Sequence, residues 1–419
     1  MSVELNATPR LRCNLRCTYC YQAGVRARLA GEADPAWDIE AVKRAVERGM
    51  GRATLEEVKE QRRERPVLFG GEPLLAPRDQ LRAWWAWCLE RWGGSALQTN
   101  GALLTDAVVE DLVRYRVSVS VSWDGPEELS FGRWAGTPEA TLVQEGRTRD
   151  GVLRCVLAGI TPSVSFVLNR YNAGPARLPR LLRWLGELDD LGVRAATFHL
   201  LERDGDARHV RLTEDETVEA VKSLYRLELG LRRLRFRTFT EALTLLRARD
   251  GRRPVGCVWT GCDPDTTTAV HGVEVDGTRS KCARVLKDGR PVPPAPRPSY
   301  ARQLRLWSTP QEEGGCAGCR FFVVCKGYCP GTGEGGDVWA RTEHCGVWKR
   351  VLAWFEGAMV KEGEAPVTTL PELPEVEGQM VRSWYAGRRV SVEAALAAAR
   401  GDPVGAALAE ARGEPLGRG

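Results

Sequence analysis

The sequence predicts an α/β fold with parallel strands, followed by a small cysteine-rich domain and a helical C-terminal extension. Six short strand-like segments come first, with helical patterns between most of them. This alternation is typical of parallel βα units, which form a barrel or an open sheet. Near residue 250 the character changes, and eight of the thirteen cysteines fall between residues 256 and 350. We expect that region to be held together by metal clusters more than by an apolar core.

The six strand segments have apolar or alternating side chains: "VELNAT", "PVLFG", "ALQTN", "VSVSVSW", "SVSFVL" and "AATFHL". Three segments between them predict helices. "IEAVKRAVERGM" has apolar residues at helical spacing, "TDAVVEDLVRYR" opens with a Thr/Asp cap signal, and "LPRLLRWLGELDDLG" ends at Gly192. We interpret "LTEDETVEAVKSLYRLELGLRRLR" as one long helix.

These patterns divide the 419 residues into four parts: an α/β domain at 1–225, a helical linker at 226–255, the cysteine-rich domain at 256–350 and the helical extension at 351–419. The net charge of +5 comes from interspersed basic and acidic side chains, so nucleic acid is not an expected partner. Apolar runs are too short for a membrane helix, and the N-terminus lacks a signal-peptide pattern. We therefore expect a cytoplasmic protein that does not bind membranes.

The cysteines favour metal or iron–sulfur binding, because a reducing compartment makes disulfides rare. Cys13, Cys17 and Cys20 form C-x3-C-x2-C directly after the first predicted strand. Three thiolates at this spacing can hold three irons of a [4Fe–4S] cube, and the fourth iron stays open for a ligand. Two loops after later strands fit that ligand: "LFGGEPLL", where Glu72 offers a carboxylate to an ammonium group, and "SVSWDGP", with Ser122 and Asp124.

A second set of eight cysteines follows in the cysteine-rich domain. Paired C-x2-C spacing is also found in structural zinc ribbons. Taken alone, this set fits two zinc sites or two iron–sulfur clusters equally well.

The chain resembles the radical S-adenosylmethionine (SAM) enzymes with a C-terminal SPASM domain. The resemblance rests on the three-cysteine motif with Tyr19 before its last cysteine, on "GGEP", on "QTNG" at 98–101 and on "SWDG" at 122–125, and it covers roughly residues 5–350. It implies a partial (βα)6 TIM-like barrel, bound SAM and three [4Fe–4S] clusters. In the family, SAM chelates the open iron of the first cluster and is cleaved to a 5′-deoxyadenosyl radical.

The resemblance also implies residue roles. Gly70, Gly71, Glu72 and Pro73 would hold the amino group of SAM, Tyr19 would lie near its adenine, and Leu200 would line the adenine from the sixth strand. Ser122 and Arg133 would contact its carboxylate or ribose region. The full set of expected SAM contacts is Tyr19, Gly70, Gly71, Glu72, Pro73, Asn100, Ser122, Asp124, Arg133 and Leu200.

The SPASM pattern assigns four cysteines to each of two auxiliary clusters. The first would be held by Cys257, Cys262, Cys282 and Cys329, and the second by Cys316, Cys319, Cys325 and Cys345.

The family resemblance favours a maturase that oxidatively crosslinks side chains of a ribosomally synthesised peptide, through C–C or thioether bonds. One alternative is a sulfatase-type maturase that makes formylglycine, although Ala283 stands where those enzymes have an aspartate base. Asp263, Asp265 and Asp276 lie nearby, but we interpret them as turn residues and name no catalytic base. Another alternative is a small-molecule radical SAM oxidoreductase.

Partners implied by the resemblance are the peptide substrate and an electron donor such as flavodoxin or ferredoxin. Only twelve residues precede Cys13, so a separate protein or the C-terminal extension would bind any leader peptide. The non-enzymatic alternatives are a cluster-bearing electron carrier and a zinc-ribbon interaction protein.

Overall fold

The computed structural model describes residues 4–50, 65–202, 205–252, 255–267, 269–286 and 290–407. The chain forms two compact units. The first contains Glu4–Arg237 and His271–Pro293, and the second contains Thr238–Val270 and the chain from Pro294 onward. The division into four parts that the sequence predicts is not tested by these two units and stays a prediction.

The first unit is built on a mostly parallel sheet that does not close. Among the described residues its spatial order is β7-β6-β5-β4-β3-β2-β1-β8-β9, in which β1 to β7 are parallel neighbours in chain order and β8 and β9 form an antiparallel hairpin. The strands are β1 Glu4–Ala7, β2 Val67–Leu68, β3 Ser95–Thr99, β4 Val117–Ser122, β5 Ser163–Leu168, β6 Ala195–Leu200, β7 Arg235–Phe236, β8 Val270–Val273 and β9 Arg279–Ser280. The predicted α/β class and all six predicted strands are confirmed. The short β7 and the hairpin were not predicted.

The parallel strands alternate with helices. The helices in this part of the chain are α1 Ala23–Arg28, α2 Ile39–Met50, α3 Arg78–Trp92, α4 Asp106–Arg114, α5 Pro138–Leu157, α6 Arg170–Ala173, α7 Leu178–Leu191, α8 Glu214–Gly230 and α9 Arg237–Leu246. Helices α2, α4 and α7 coincide with the three predicted helical segments. Thr105 caps α4 by accepting the N–H of Val108, and Gly192 ends α7 in the left-handed conformation.

The prediction of one long helix through "LGLRRLR" was wrong, because the helix ends at Gly230. The Asp189 carboxylate accepts the backbone N–H groups of Arg232, Arg233 and Leu234 at 3.0, 2.6 and 2.6 Å. These bonds fix the non-helical segment that leads into β7. A contact made by a residue on α7 has overridden the local helical pattern.

The sheet has one apolar and one polar face, because side chains alternate along each strand. On β4, Val117, Val119 and Val121 are buried, while Ser120 and Ser122 on the opposite face are half-buried. The apolar face packs aromatic side chains: the Phe166 ring lies 6.2 Å from Trp184 on α7 and 6.4 Å from Phe236 on β7. The polar face is therefore the one available to a ligand.

The second unit is mostly helical. It contains most of α9, and then α10 Ala301–Ser308, α11 Phe322–Cys325, α12 Cys345–Lys361, α13 Leu373–Tyr385 and α14 Val392–Ala399. The predicted helical pattern of the extension is thus two helices. Asp250 anchors the second of them by accepting the N–H groups of Val392 and Glu393 at 3.0 Å each. In the described part of the chain, none of the helices has the length and apolar character required to cross a bilayer.

Candidate functional site

The Cys13, Cys17 and Cys20 thiols lie together on one loop after β1. Burial raises the pKa of Cys13 and of Cys17 to about 11, and each thiol interacts electrostatically with the other two. Thiols with raised pKa values are poor ligands until a metal or cation replaces their protons. Three such thiols on one loop fit a cluster that has a fourth iron left for another ligand.

The cysteine loop is fixed by the segment after β4. The N–H of Arg16 donates to Trp134 O at 2.6 Å, and the N–H of Thr18 donates to Gly132 O at 2.9 Å. A Cβ at Gly132 would stand 2.6 Å from the Tyr19 ring. Gly132 therefore has to be glycine, and no motif in the sequence had pointed to it.

Tyr19 and Arg133 lie beside a buried carboxylate. The Tyr19 hydroxyl donates to Asp124 Oδ2, and Asp124 Oδ1 accepts the N–H of Val167 at 3.2 Å. Burial raises the pKa of Asp124. Burial would lower the pKa of Arg133, but Cys17, Tyr19 and Asp124 outweigh it and raise that pKa above its ordinary value. The Arg133 cation thus offsets negative charge at the cysteine loop.

The "GGEP" loop packs directly on the residues before Cys13. The N–H of Gly71 donates to Arg10 O and that of Glu72 to Arg12 O, each at 2.9 Å. A Cβ at Gly71 would lie 2.1 Å from Arg12 O, so no side chain fits there. The two glycines therefore bring the ends of β1 and β2 together.

Glu72 is 1 % exposed and already carries three hydrogen bonds from the chain. Its Oε1 accepts Thr99 Oγ1–H at 2.7 Å and the N–H of Leu74 at 3.1 Å, and its Oε2 accepts the N–H of Asn100 at 2.8 Å. Burial raises its pKa. A carboxylate accepts about four hydrogen bonds, so one position stays open for the predicted ammonium group. Pro73, also buried, begins the short turn that follows.

Asn100 joins the end of β3 to the cysteine loop. Its Nδ2 donates to Asn14 Oδ1 at 2.7 Å and lies 3.8 Å from Cys13 Sγ. Its carbonyl accepts the Thr148 hydroxyl at 2.9 Å. The predicted SAM contacts Glu72 and Asn100 are therefore neighbours in one network.

Ser122 belongs to a polar cluster on the open face of the sheet. Gln98 Nε2 donates to Ser122 Oγ at 2.7 Å and to Ser165 Oγ at 3.2 Å. The sequence analysis missed Gln98 and Ser165. Strand alternation was the signal that could have found them, since they face the same side as Ser122 on neighbouring strands.

Leu200 lies at the end of β6 on the apolar face, paired with Leu168. His199, paired with Val167, stands on the polar face instead. The next residue, Leu201, packs with Ala207 and Val210 in a cluster that also contacts Tyr19.

Four cysteines of the second unit line one cavity. Its walls also include Phe322, Trp348 and Leu352. Burial, with a smaller contribution from the neighbouring Cys345 and Cys319 thiols, raises the pKa of Cys316 to about 12. The four are Cys316, Cys319, Cys325 and Cys345, the set expected to bind one auxiliary cluster. That they bind it stays a prediction.

The other expected auxiliary set is divided between the units. Cys257, Cys262 and Cys329 belong to the second unit, and Cys282 belongs to the first. This ligand set also stays a prediction. Among the described residues no three His, Cys, Asp or Glu side chains are arranged to hold a single metal ion. A cubane cluster needs a wider arrangement, because each thiolate binds a different iron.

Two of the three aspartates near these cysteines are turn residues, as interpreted. Asp263 Oδ1 accepts the N–H groups of Asp265 and Thr266 at 3.0 and 2.8 Å, and Asp276 Oδ1 accepts that of Thr278 at 2.9 Å. Their carboxylates stabilise turns.

The comparisons with known proteins agree with this architecture. The radical SAM superfamily matches residues 9–156. No curated protein matches the chain. The fold is similar to anSMEcpe with bound AdoMet (18% identity, TM-score 0.63, 86% of this chain and 98% of that one). It is similar to the same protein with AdoMet and the Cp18Cys peptide (18%, 0.62, 86% and 99%).

A further structural relative is Streptococcus suis SuiB bound to S-adenosylmethionine. It shares 14% identity at a TM-score of 0.51, over 82% of this chain and 77% of that one. At these identities the solved structures establish the fold alone. The family match covers the cysteine loop, the "GGEP" loop, and strands β3 and β4, so residues 9–156 are similar to the radical SAM superfamily.

Proposed function

We propose that this protein is a radical SAM maturase that oxidatively crosslinks side chains of a ribosomally synthesised peptide. The observation that carries the proposal is that the cysteines form two sets with different numbers of thiols. The loop after β1 has three thiols, and the cavity of the second unit is lined by four. A set of three leaves an iron open for chemistry, whereas a set of four saturates a cluster.

The residues of the first unit would bind and orient SAM and the first cluster. Cys13, Cys17 and Cys20 would ligate the cluster, and the Arg133 cation would offset their negative charge. The "GGEP" loop and Glu72 would receive the ammonium group, and Ser122 with its partner Gln98 would offer polar contacts from the sheet. When bound, SAM and the reduced cluster supply a radical that removes a carbon-bound hydrogen from the substrate.

A peptide substrate is supported by the structural relatives. One similar fold was solved with AdoMet and the Cp18Cys peptide together. By that likeness we assign a peptide to this chain as well. A flavodoxin or ferredoxin as electron donor follows only from the family resemblance of the sequence. A leader peptide, if the substrate has one, would be bound by a separate protein or by α13 and α14.

The first experiment asks whether the radical forms. The reconstituted protein is incubated anaerobically with SAM and dithionite, and 5′-deoxyadenosine is quantified by chromatography. We expect formation in the wild type and none in Cys17→Ala, while Cys155→Ala serves as a buried-cysteine control outside both thiol sets. Equally small amounts of 5′-deoxyadenosine from all three proteins would favour an electron carrier or a zinc protein.

The second experiment asks which product is made. Short peptides encoded beside the gene are added, and the products are analysed by mass spectrometry and with an aldehyde-reactive hydrazide. A crosslink removes two hydrogens and leaves no aldehyde. Hydrazide-reactive product would favour the formylglycine alternative. Formation of 5′-deoxyadenosine with none of the peptides modified would favour a small-molecule oxidoreductase.

A further inference from the structure

Arg302 is a fully buried cation in the first turn of α10. Its Nη1–H donates to Tyr328 O at 3.0 Å, and its Nη2–H groups donate to Gly327 O at 2.9 Å and Ala340 O at 2.8 Å. The guanidinium is thus held in one position by three carbonyl groups.

In the described part of the chain no carboxylate pairs with Arg302, and its Nε has no hydrogen-bond partner. Removing a charge from water is strongly unfavourable unless an opposite charge compensates it. Carbonyl dipoles satisfy the N–H groups but carry no net charge. We therefore expect an anion close to the Arg302 guanidinium.

Thiols are the groups that can supply this anion. Burial lowers the pKa of Arg302, and four cysteines raise it in return: Cys329, Cys262, Cys316 and Cys325. The first two belong to one expected auxiliary set and the last two to the other. A cysteine ligates a metal as a thiolate, so these side chains would be anionic when their clusters are bound.

The turn that Arg302 binds connects the two cysteine sets. Lys326, Gly327 and Tyr328 all have positive φ, at 52°, 79° and 58°, between Cys325 and Cys329. Two of these residues are not glycine, so the turn is strained and needs outside support. Arg302 supports it at two successive carbonyls.

We propose that Arg302 is a positioning residue that raises the reduction potentials of both auxiliary clusters while it holds the turn between their ligands. This inference rests on the proposed function, since it assumes that both sets bind [4Fe–4S] clusters. Each cluster takes up one electron with no bond made or broken, and its charge with four thiolates goes from −2 to −3. A fixed cation nearby stabilises the more negative state, which raises the potential.

The test compares three variants by EPR-monitored redox titration of the reconstituted full chain. Arg302→Gln removes the charge, Arg302→Lys keeps it but loses the planar fork, and Arg305→Gln removes an exposed charge from the same helix. We expect Arg302→Gln to lower the equilibrium constant for reduction of each auxiliary cluster about tenfold. For one electron this lowers the reduction potential by about 59 mV. Arg302→Lys and Arg305→Gln should stay near the wild type.

Unchanged potentials in an iron-replete Arg302→Gln variant would overturn the inference about Arg302 but leave the proposed function intact. If that variant loses its iron, Arg302→Lys decides. Normal iron content in Arg302→Lys would support the inference, because the lysine keeps the positive charge. Loss of iron in both variants would show that the hydrogen bonds of Arg302 matter and its charge does not, which overturns the inference. A wild type with about four irons in place of about twelve would overturn the auxiliary clusters themselves.

Discussion

The hydroxyl of Tyr19 donates a hydrogen bond to the buried carboxylate of Asp124. The bond links the cysteine loop to the end of β4, and it adds to the backbone contacts that Thr18 and Arg16 make with the segment after β4. The position of the cysteine loop therefore depends on the Asp124 carboxylate, whose charged form is disfavoured by burial.

Tyr19→Phe should therefore destabilise the protein by about 1–3 kcal/mol, because Asp124 loses a donor and stays buried. The free energy of unfolding is measured anaerobically in urea on the reconstituted protein. Tyr385→Phe is the matched control, since that side chain is 69% exposed. Equal small effects in both variants would contradict the structural role of the Tyr19 hydroxyl.

Glu72→Ala should cost about 2–4 kcal/mol, because it removes the acceptor of three donors: the Thr99 hydroxyl and the N–H groups of Asn100 and Leu74. Glu72→Gln keeps one acceptor oxygen and should cost less. Affinity for SAM, measured by calorimetry, should fall in both variants. Glu110→Ala, a change on the exposed surface of α4, controls for loss of charge. A stable Glu72→Ala protein that also binds SAM normally would count against both roles.

Asp189→Ala should destabilise the first unit by about 3 kcal/mol or more, because three N–H groups lose a charged acceptor. The adjacent Asp190 is exposed and pairs with Arg232, so Asp190→Ala should cost less than about 1 kcal/mol. Urea unfolding of the two variants measures the difference. Similar costs would mean that Asp189 does not hold the segment before β7.

His271 should make stability depend on pH. Burial and then the Arg279 cation lower its pKa to about 4, whereas an unfolded histidine titrates near about 6.5. Between these values the unfolded state binds more protons, so stability falls as the pH falls from about 6.5 toward 4, by at most about 1.4 kcal/mol per pH unit. The partly exposed ring reduces that slope.

The measurement is the free energy of unfolding at pH 7.5 and at pH 5.5. His271→Asn should lose less stability between the two values than the wild type does. His209→Asn, at an exposed position, should behave like the wild type. A wild-type slope retained in His271→Asn would show that other groups cause it.

Local patterns predicted the six strands because the alternation of a strand is fixed by its own side chains. They could not predict β7, whose two residues are too few for a pattern and whose path depends on Asp189. The cysteine and "GGEP" loops were recognised because their residue types are rare in combination. Gln98 and Ser165 were missed because a polar residue on a strand becomes informative only when the register of its neighbours is known.

The division of the chain between the two units was also outside the reach of local patterns. Residues His271–Pro293 lie in the first unit although they stand among the later cysteines. Their place is fixed by pairing, because the N–H of Thr8 donates to Val273 O at 2.9 Å. Such a long-range contact leaves no periodic signal in the sequence.

That pairing gives the sheet an order of assembly. β1, which leads into the three-cysteine loop, has β2 on one side and the β8–β9 hairpin on the other. The ribosome makes the hairpin long after β1, so β1 has one unpaired edge until most of the chain exists. The strand that leads into the cysteine loop therefore gains its second neighbour only after Ser280 of the 419-residue chain has been made.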